Sequence, residues 1–141
     1  MGIGIGVAIP DEIILNSQKK YAPSNLVNNG DFMDGSNGWI LGTGWTIPGG
    51  YADCDGTQSS NTALRSSTFS PKVGATYEVT FTLLNRSAGA ITPIFGSVAG
   101  TSRNSDGTYT EQVVAGGTVF SLRGNSSFVG QVKDVIVRRI A

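Results

Sequence analysis

The chain has 141 residues, room for one domain and hardly for two. Its 10 Lys and Arg balance 10 Asp and Glu, charged residues make up only 14%, histidine is absent, and Cys54 is the single cysteine. These counts exclude Ser-His-Asp and Cys-His nucleophile chemistry, His-ligated zinc or haem, an intrachain disulfide and a phosphate-tracking basic surface, so neither a cofactor nor nucleic acid is expected.

Residues 1–24 read as an extended amino-terminal arm and linker. Gly2, Gly4, Gly6 and Ala8 alternate with Ile3, Ile5, Val7 and Ile9, which share one face of an extended chain. So much glycine makes a poor helix, and a lone strand buries nothing. The apolar face therefore needs a surface to cover it, either in its own domain or on another subunit. The run is about half the length that spans a bilayer, and no basic segment precedes Gly2. Gly6 stands where myristoylation requires Ser or Thr, so no membrane partner is expected. Ile3, Ile5, Val7 and Ile9 are the candidate docking residues, and Lys19, Lys20 and Pro23 mark an exposed connection.

Residues 25–141 read as one β domain. In 76–83, Tyr77, Val79, Phe81 and Leu83 alternate with Thr76, Glu78, Thr80 and Thr82, the pattern of a strand with one wet face. Further strands are predicted near 26–27, 39–41, 45–47, 51–54, 64–69, 91–98, 108–114, 118–122 and 131–140. Turn pairs such as Asn29-Gly30, Gly49-Gly50, Asp55-Gly56, Asp106-Gly107 and Gly116-Gly117 separate them. No window carries a helical stripe. Many short, evenly spaced strands predict an all-β jelly-roll β-sandwich behind the arm.

The run Asn25-Leu26-Val27-Asn28-Asn29-Gly30-Asp31-Phe32, followed by Gly35, Gly38 and Trp39, resembles the opening of jelly-roll carbohydrate-binding-module domains of the galactose-binding-like group. Gly44 to Ala52 is similar to their second hairpin, Val73 to Phe81 to their central strand, and Phe128 to Val137 to their closing strand. The variety it looks most like is the short-looped, Gly- and Thr-rich form of tailed-bacteriophage virion proteins, where the domain often serves as a stiff structural unit.

The resemblance implies a test of three chemistries. Sugar binding would use exposed aromatics for stacking, with Trp45, Tyr51 and Tyr109 as candidates, although Trp39 and Trp45 occupy motif positions that are core in the family. Many relatives hold a structural calcium near the first motif and the last strand. Here Met33 and Lys133 replace two acidic positions, and no metal is expected. Asp53 and Asp55 flank Cys54 in what reads as a turn. Glycoside hydrolysis needs two facing carboxylates; Glu78 and Glu111, both read as lying on wet strand faces, form the one conceivable pair, and a cross-strand salt contact is the plainer reading. Catalysis is not expected.

The expected function is that of a structural protein of a tailed-phage virion. It would be a head decoration or cement protein or a tail or fibre component, docked through the arm and the jelly-roll surface on capsid or tail subunits and on copies of itself. The initial Met and the ending at Ala141 suggest a small intact protein rather than a piece of a longer fibre. The alternative is a carbohydrate-binding module or adhesin that recognises a cell-surface glycan.

Overall fold

The computed structural model describes residues 24–141; Ile3, Ile5, Val7 and Ile9 lie outside the described residues. The described part is a two-layer sandwich built from β1 (Trp39–Leu41), β2 (Trp45–Thr46), β3 (Ala52–Cys54), β4 (Thr62–Ser66), β5 (Thr76–Ala88), β6 (Ile91–Phe95), β7 (Val98–Ala99), β8 (Gly107–Val114), β9 (Phe120–Gly124) and β10 (Val129–Arg139). One sheet has the order β1-β4-β9-β6-β7, the other β2-β3-β10-β5-β8, and neighbouring strands pair antiparallel.

Alternation assigns the inner faces. Along β5, Tyr77, Val79, Phe81 and Leu83 are buried, while Thr80 and Thr82 face outward and meet Thr110 and Thr108 of β8 through hydroxyl pairs at 2.9 and 2.8 Å. The opposite layer contributes Leu64, Ile91, Phe95, Phe120 and Leu122. A ring pair connects the two layers, Tyr77 stacking on Phe95 at 5.5 Å, and Phe95 lies 4.9 Å from Phe120 of its own sheet.

The opening motif is a clip rather than a strand. Asn25 donates from Nδ2 to Val135 O (2.8 Å), and its Oδ1 accepts from Val137 N (2.9 Å). These groups flank a bulge in β10, where the register to β5 shifts between Lys133 and Ile136 and Asp134 takes a positive φ of 53°. The strand predicted at 26–27 does not form. Leu26 N donates to Val137 O, but Val27 N turns back onto Asn25 Oδ1, which ends the ladder after one bond. Asn29 then organises the next turn: its Nδ2 donates to Gly35 O and Asn37 O, and Trp39 Nε1 donates to Asn29 O.

The long strand predicted over 91–98 divides into β6 and β7. Gly96 has φ 68°, and a Cβ there would lie 2.1 Å from Gly117 Cα. The chain reverses at residues 96–97, so that Phe95 pairs with Val98.

Three substitutions at two positions test this account by urea denaturation. Asn25→Ala leaves the Val135 carbonyl and Val137 amide unpaired and is expected to cost about 2–3 kcal/mol; Asn25→Asp should cost as much, because a carboxylate would face the Val135 carbonyl. Gly96→Ala is expected to cost at least about 2 kcal/mol, from backbone strain and overlap together.

Candidate functional site

The three aromatic candidates for glycan contact are not brought together. Trp45 is 4% exposed, its ring 5.8 Å from Phe128 in the core, so it presents no stacking face; this part of the expectation is corrected. Tyr109 also departs from it. Its sequence neighbours are polar, but they occupy the other face of β8. The register sets Tyr109 opposite Phe81, whose ring is 5.9 Å away on the inner side. The Arg103 guanidinium lies over the Tyr109 ring at 4.5 Å, and the Tyr109 hydroxyl donates to Ser105 O. Tyr51 is half-buried in the bend before β3, and β10 and β5 stand between β3 and β8.

The carboxylates are likewise apart. Glu78 pairs in register with Gln112, whereas Glu111 pairs with Val79, so Glu78 and Glu111 project from opposite faces. The reading that placed both on the wet side is corrected for Glu111. That carboxylate accepts from Thr101 N (3.0 Å) and lies 3.5 Å from Arg103. Glu78 lies 3.8 Å from Arg138. Asp55 accepts from Thr57 N and Oγ1 (3.0 and 2.8 Å), which holds its carboxyl below the usual range and makes it a turn residue.

At the position that the resemblance links to calcium, Lys133 Nζ is 3.8 Å from Asp134, and Met33 is 73% exposed. A recess of about 380 Å³ beside the β10 bulge is lined by Asn25, Asn29, Asp31 and Asp134 among others. Among the described residues, no three His, Cys, Asp or Glu gather to hold a metal ion. No helix among them is long and apolar enough to cross a membrane.

Sequence reasoning missed an open groove of about 500 Å³ beside β1 and β4. Ile40, Ala63 and Arg65 line it together with Ser59, Ser60 and Asn61. The signal was present in β4: Thr62, Leu64 and Ser66 are buried, so Ala63 and Arg65 must point outward.

No family model and no curated relative matches the sequence. Solved structures do share its fold. The enzymatically active domain of tailspike protein 4 of bacteriophage CBA120 superposes with a TM-score of 0.55 at 18% identity, over 82% of this chain and 21% of that one. A CBM4 carbohydrate-binding module superposes with a TM-score of 0.53 at 12% identity, over 81% of this chain and 99% of the module. The chain therefore spans about a fifth of the tailspike domain and nearly the whole module. The all-β sandwich of carbohydrate-binding-module type expected from the sequence is the observed fold.

Cys54 gives a chemical test of the interior. It is 1% exposed; burial pushes its thiol above the ordinary value, and the Asp55 and Asp53 charges push the same way. A thiol raised in the folded state contributes stability below its unfolded pKa and loses it as pH rises through the folded one. Native protein should thus react with Ellman's reagent at least about a hundredfold more slowly than urea-unfolded protein. The urea midpoint should fall above the ordinary thiol value of 9.0, and less so in Cys54→Ala.

Proposed function

We propose that this chain is a non-catalytic structural module of a tailed-phage particle, seated on the tail side. Ile3, Ile5, Val7 and Ile9 dock it, with the jelly-roll surface, on tail subunits or on copies of itself. The observation that supports this most is the tailspike superposition, which covers 82% of the chain. The sequence left head and tail open. Of the two, the tail has a structural counterpart in this comparison, and the head-decoration and cement roles have none.

The side chains agree with a protein that works by contact. Among the described residues the large aromatics lie inside or half inside, and Glu78 and Glu111 each have a cationic partner. Glu78 and Glu111, the pair that the sequence offered for hydrolysis, project from opposite faces of the sheet. Burying four aliphatic side chains of the arm would contribute several kcal/mol, at about 25 cal/mol per Å² and before ordering costs.

A second reading, a module that contacts glycans, draws on a different observation. The hydroxyl- and amide-lined groove beside β4 is an open recess in a fold shared with a carbohydrate-binding module over 99% of that module's length.

Deletion of residues 2–10 is expected to leave a folded monomer, with an unchanged circular dichroism spectrum and urea midpoint, while the full chain self-associates or binds tail subunits. Light scattering after size exclusion reads the difference. A full chain that is monomeric and binds phage particles no better than the deletion variant overturns the arm mechanism.

A further inference from the structure

The net charge of zero conceals an uneven distribution. In the described strands every acidic residue sits in one sheet: Asp53 in β3, Glu78 in β5, Glu111 in β8 and Asp134 in β10. The strands of the β1-β4-β9-β6-β7 sheet carry no acid and two charged residues, Arg65 and Arg123. Register places these two together. Arg65 pairs with Ser121 and Arg123 with Ala63, so the arginines are diagonal neighbours on one outer face. Such neighbours are about 7–8 Å apart. Both are exposed, and among the described residues neither guanidinium has a hydrogen bond or an ion pair. Arg103 and Arg86, by contrast, are engaged with Glu111 and with Gly89 O.

Two unpaired guanidinium groups side by side repel each other mildly, and an anion set between them relieves that repulsion. The groove beside β4 adjoins them. Arg65 lines it, and Arg123 stands across the ladder from Ala63 on its floor. Ile40 is 46% exposed and offers an aliphatic surface, while Ser59, Ser60 and Asn61 offer exposed hydroxyl and amide groups.

We infer that this face binds an acidic polysaccharide, with uronate carboxylates held in the fork of Arg65 and Arg123. The C–H face of the sugar rests on Ile40 and Ala63, and its hydroxyl groups meet Ser59, Ser60 and Asn61. The inference rests on the glycan-contact reading and names its ligand class. Arginine suits the task because its planar fork matches a carboxylate with two parallel bonds. A polypeptide fits less well. Gly42 N already donates to Ala63 O (2.9 Å), and Thr43 O accepts from Thr62 Oγ1 (2.7 Å), so these backbone groups are not open for an added strand. A nucleic acid fits less well too, because two charges without a stacking ring make a weak phosphate track.

Affinity electrophoresis of the full chain tests this, in gels containing polygalacturonate, its carboxyl-reduced neutral counterpart, or polyglutamate. Retardation is expected in polygalacturonate alone and should disappear in high salt. Arg65→Ala and Arg123→Ala should each weaken it about tenfold, with Arg65→Lys and Arg123→Lys in between. Lys72→Ala should leave it unchanged, and unaltered urea midpoints would show that all variants fold. Equal retardation by the neutral polymer overturns the acidic preference but keeps the glycan reading. No retardation by either polysaccharide overturns both. Retardation by polyglutamate equal to that by polygalacturonate, or an effect indifferent to both arginines, overturns the proposed site.

Discussion

The architecture depends on how one amide side chain, that of Asn25, closes the bulge in β10. β10 is central in its sheet, with β3 on one side and β5 on the other. An extra residue there reverses which side chains face the core, and two neighbouring backbone groups must find partners off the ladder. Asn25 supplies both, as donor to Val135 O and acceptor from Val137 N. Gly30 is required by the same junction. Val135 N donates to Gly30 O, and a Cβ on Gly30 would stand 2.1 Å from Val135 O. With the bulge closed in this way, Val132, Val135 and Val137 are all fully buried. The first described turn and the last strand are thus one structural unit, joined across 110 residues.

This explains in physical terms why the opening motif reads as it does. Asn25 serves the bulge, Gly30 permits the close approach, and Asn29 gathers the loop that delivers Phe32 against Trp39, with ring centroids 5.2 Å apart. The motif carries fold rather than chemistry, which is why a likeness to it says little about ligands. The same junction sets Lys133 Nζ 3.8 Å from Asp134.

Local patterns made much of this legible. The alternation in β5 predicted both the strand and its buried face, and the turn pairs marked most strand ends. What failed were features decided by partners distant in sequence. Residues 26–27 look like a strand, but their backbone is drawn to an Asn side chain. Residues 91–98 look continuous until Gly117 packs against Gly96 and requires the turn between them. Tyr109, expected as an exposed contact, and Glu111, expected on a wet face, both belong to the inner side of β8. Parity of alternation decides the matter only once Phe81 is known to stand opposite Tyr109. The groove beside β4 was hidden for the same reason: Arg65 and Arg123 become neighbours only through the β4–β9 ladder.

Sheet edges offer the last constraint on how such a module attaches. An exposed strand edge is a ready template for pairing with another chain, and proteins blunt it by shortening the edge or covering it. The first device is present. Three of the edge strands are minimal, β1 with three residues and β2 and β7 with two each. The long edge strand, β8, carries the loop around Thr101 and Arg103, tied to it through Glu111 and Tyr109. Tyr109 is better understood as part of that tie than as a ligand platform. Three of the four edges thus have little to offer a partner strand. On the reading proposed above, attachment would come from the outer faces or from chain beyond the sandwich, and the alternating apolar run from Ile3 to Ile9 has the chemistry for the second.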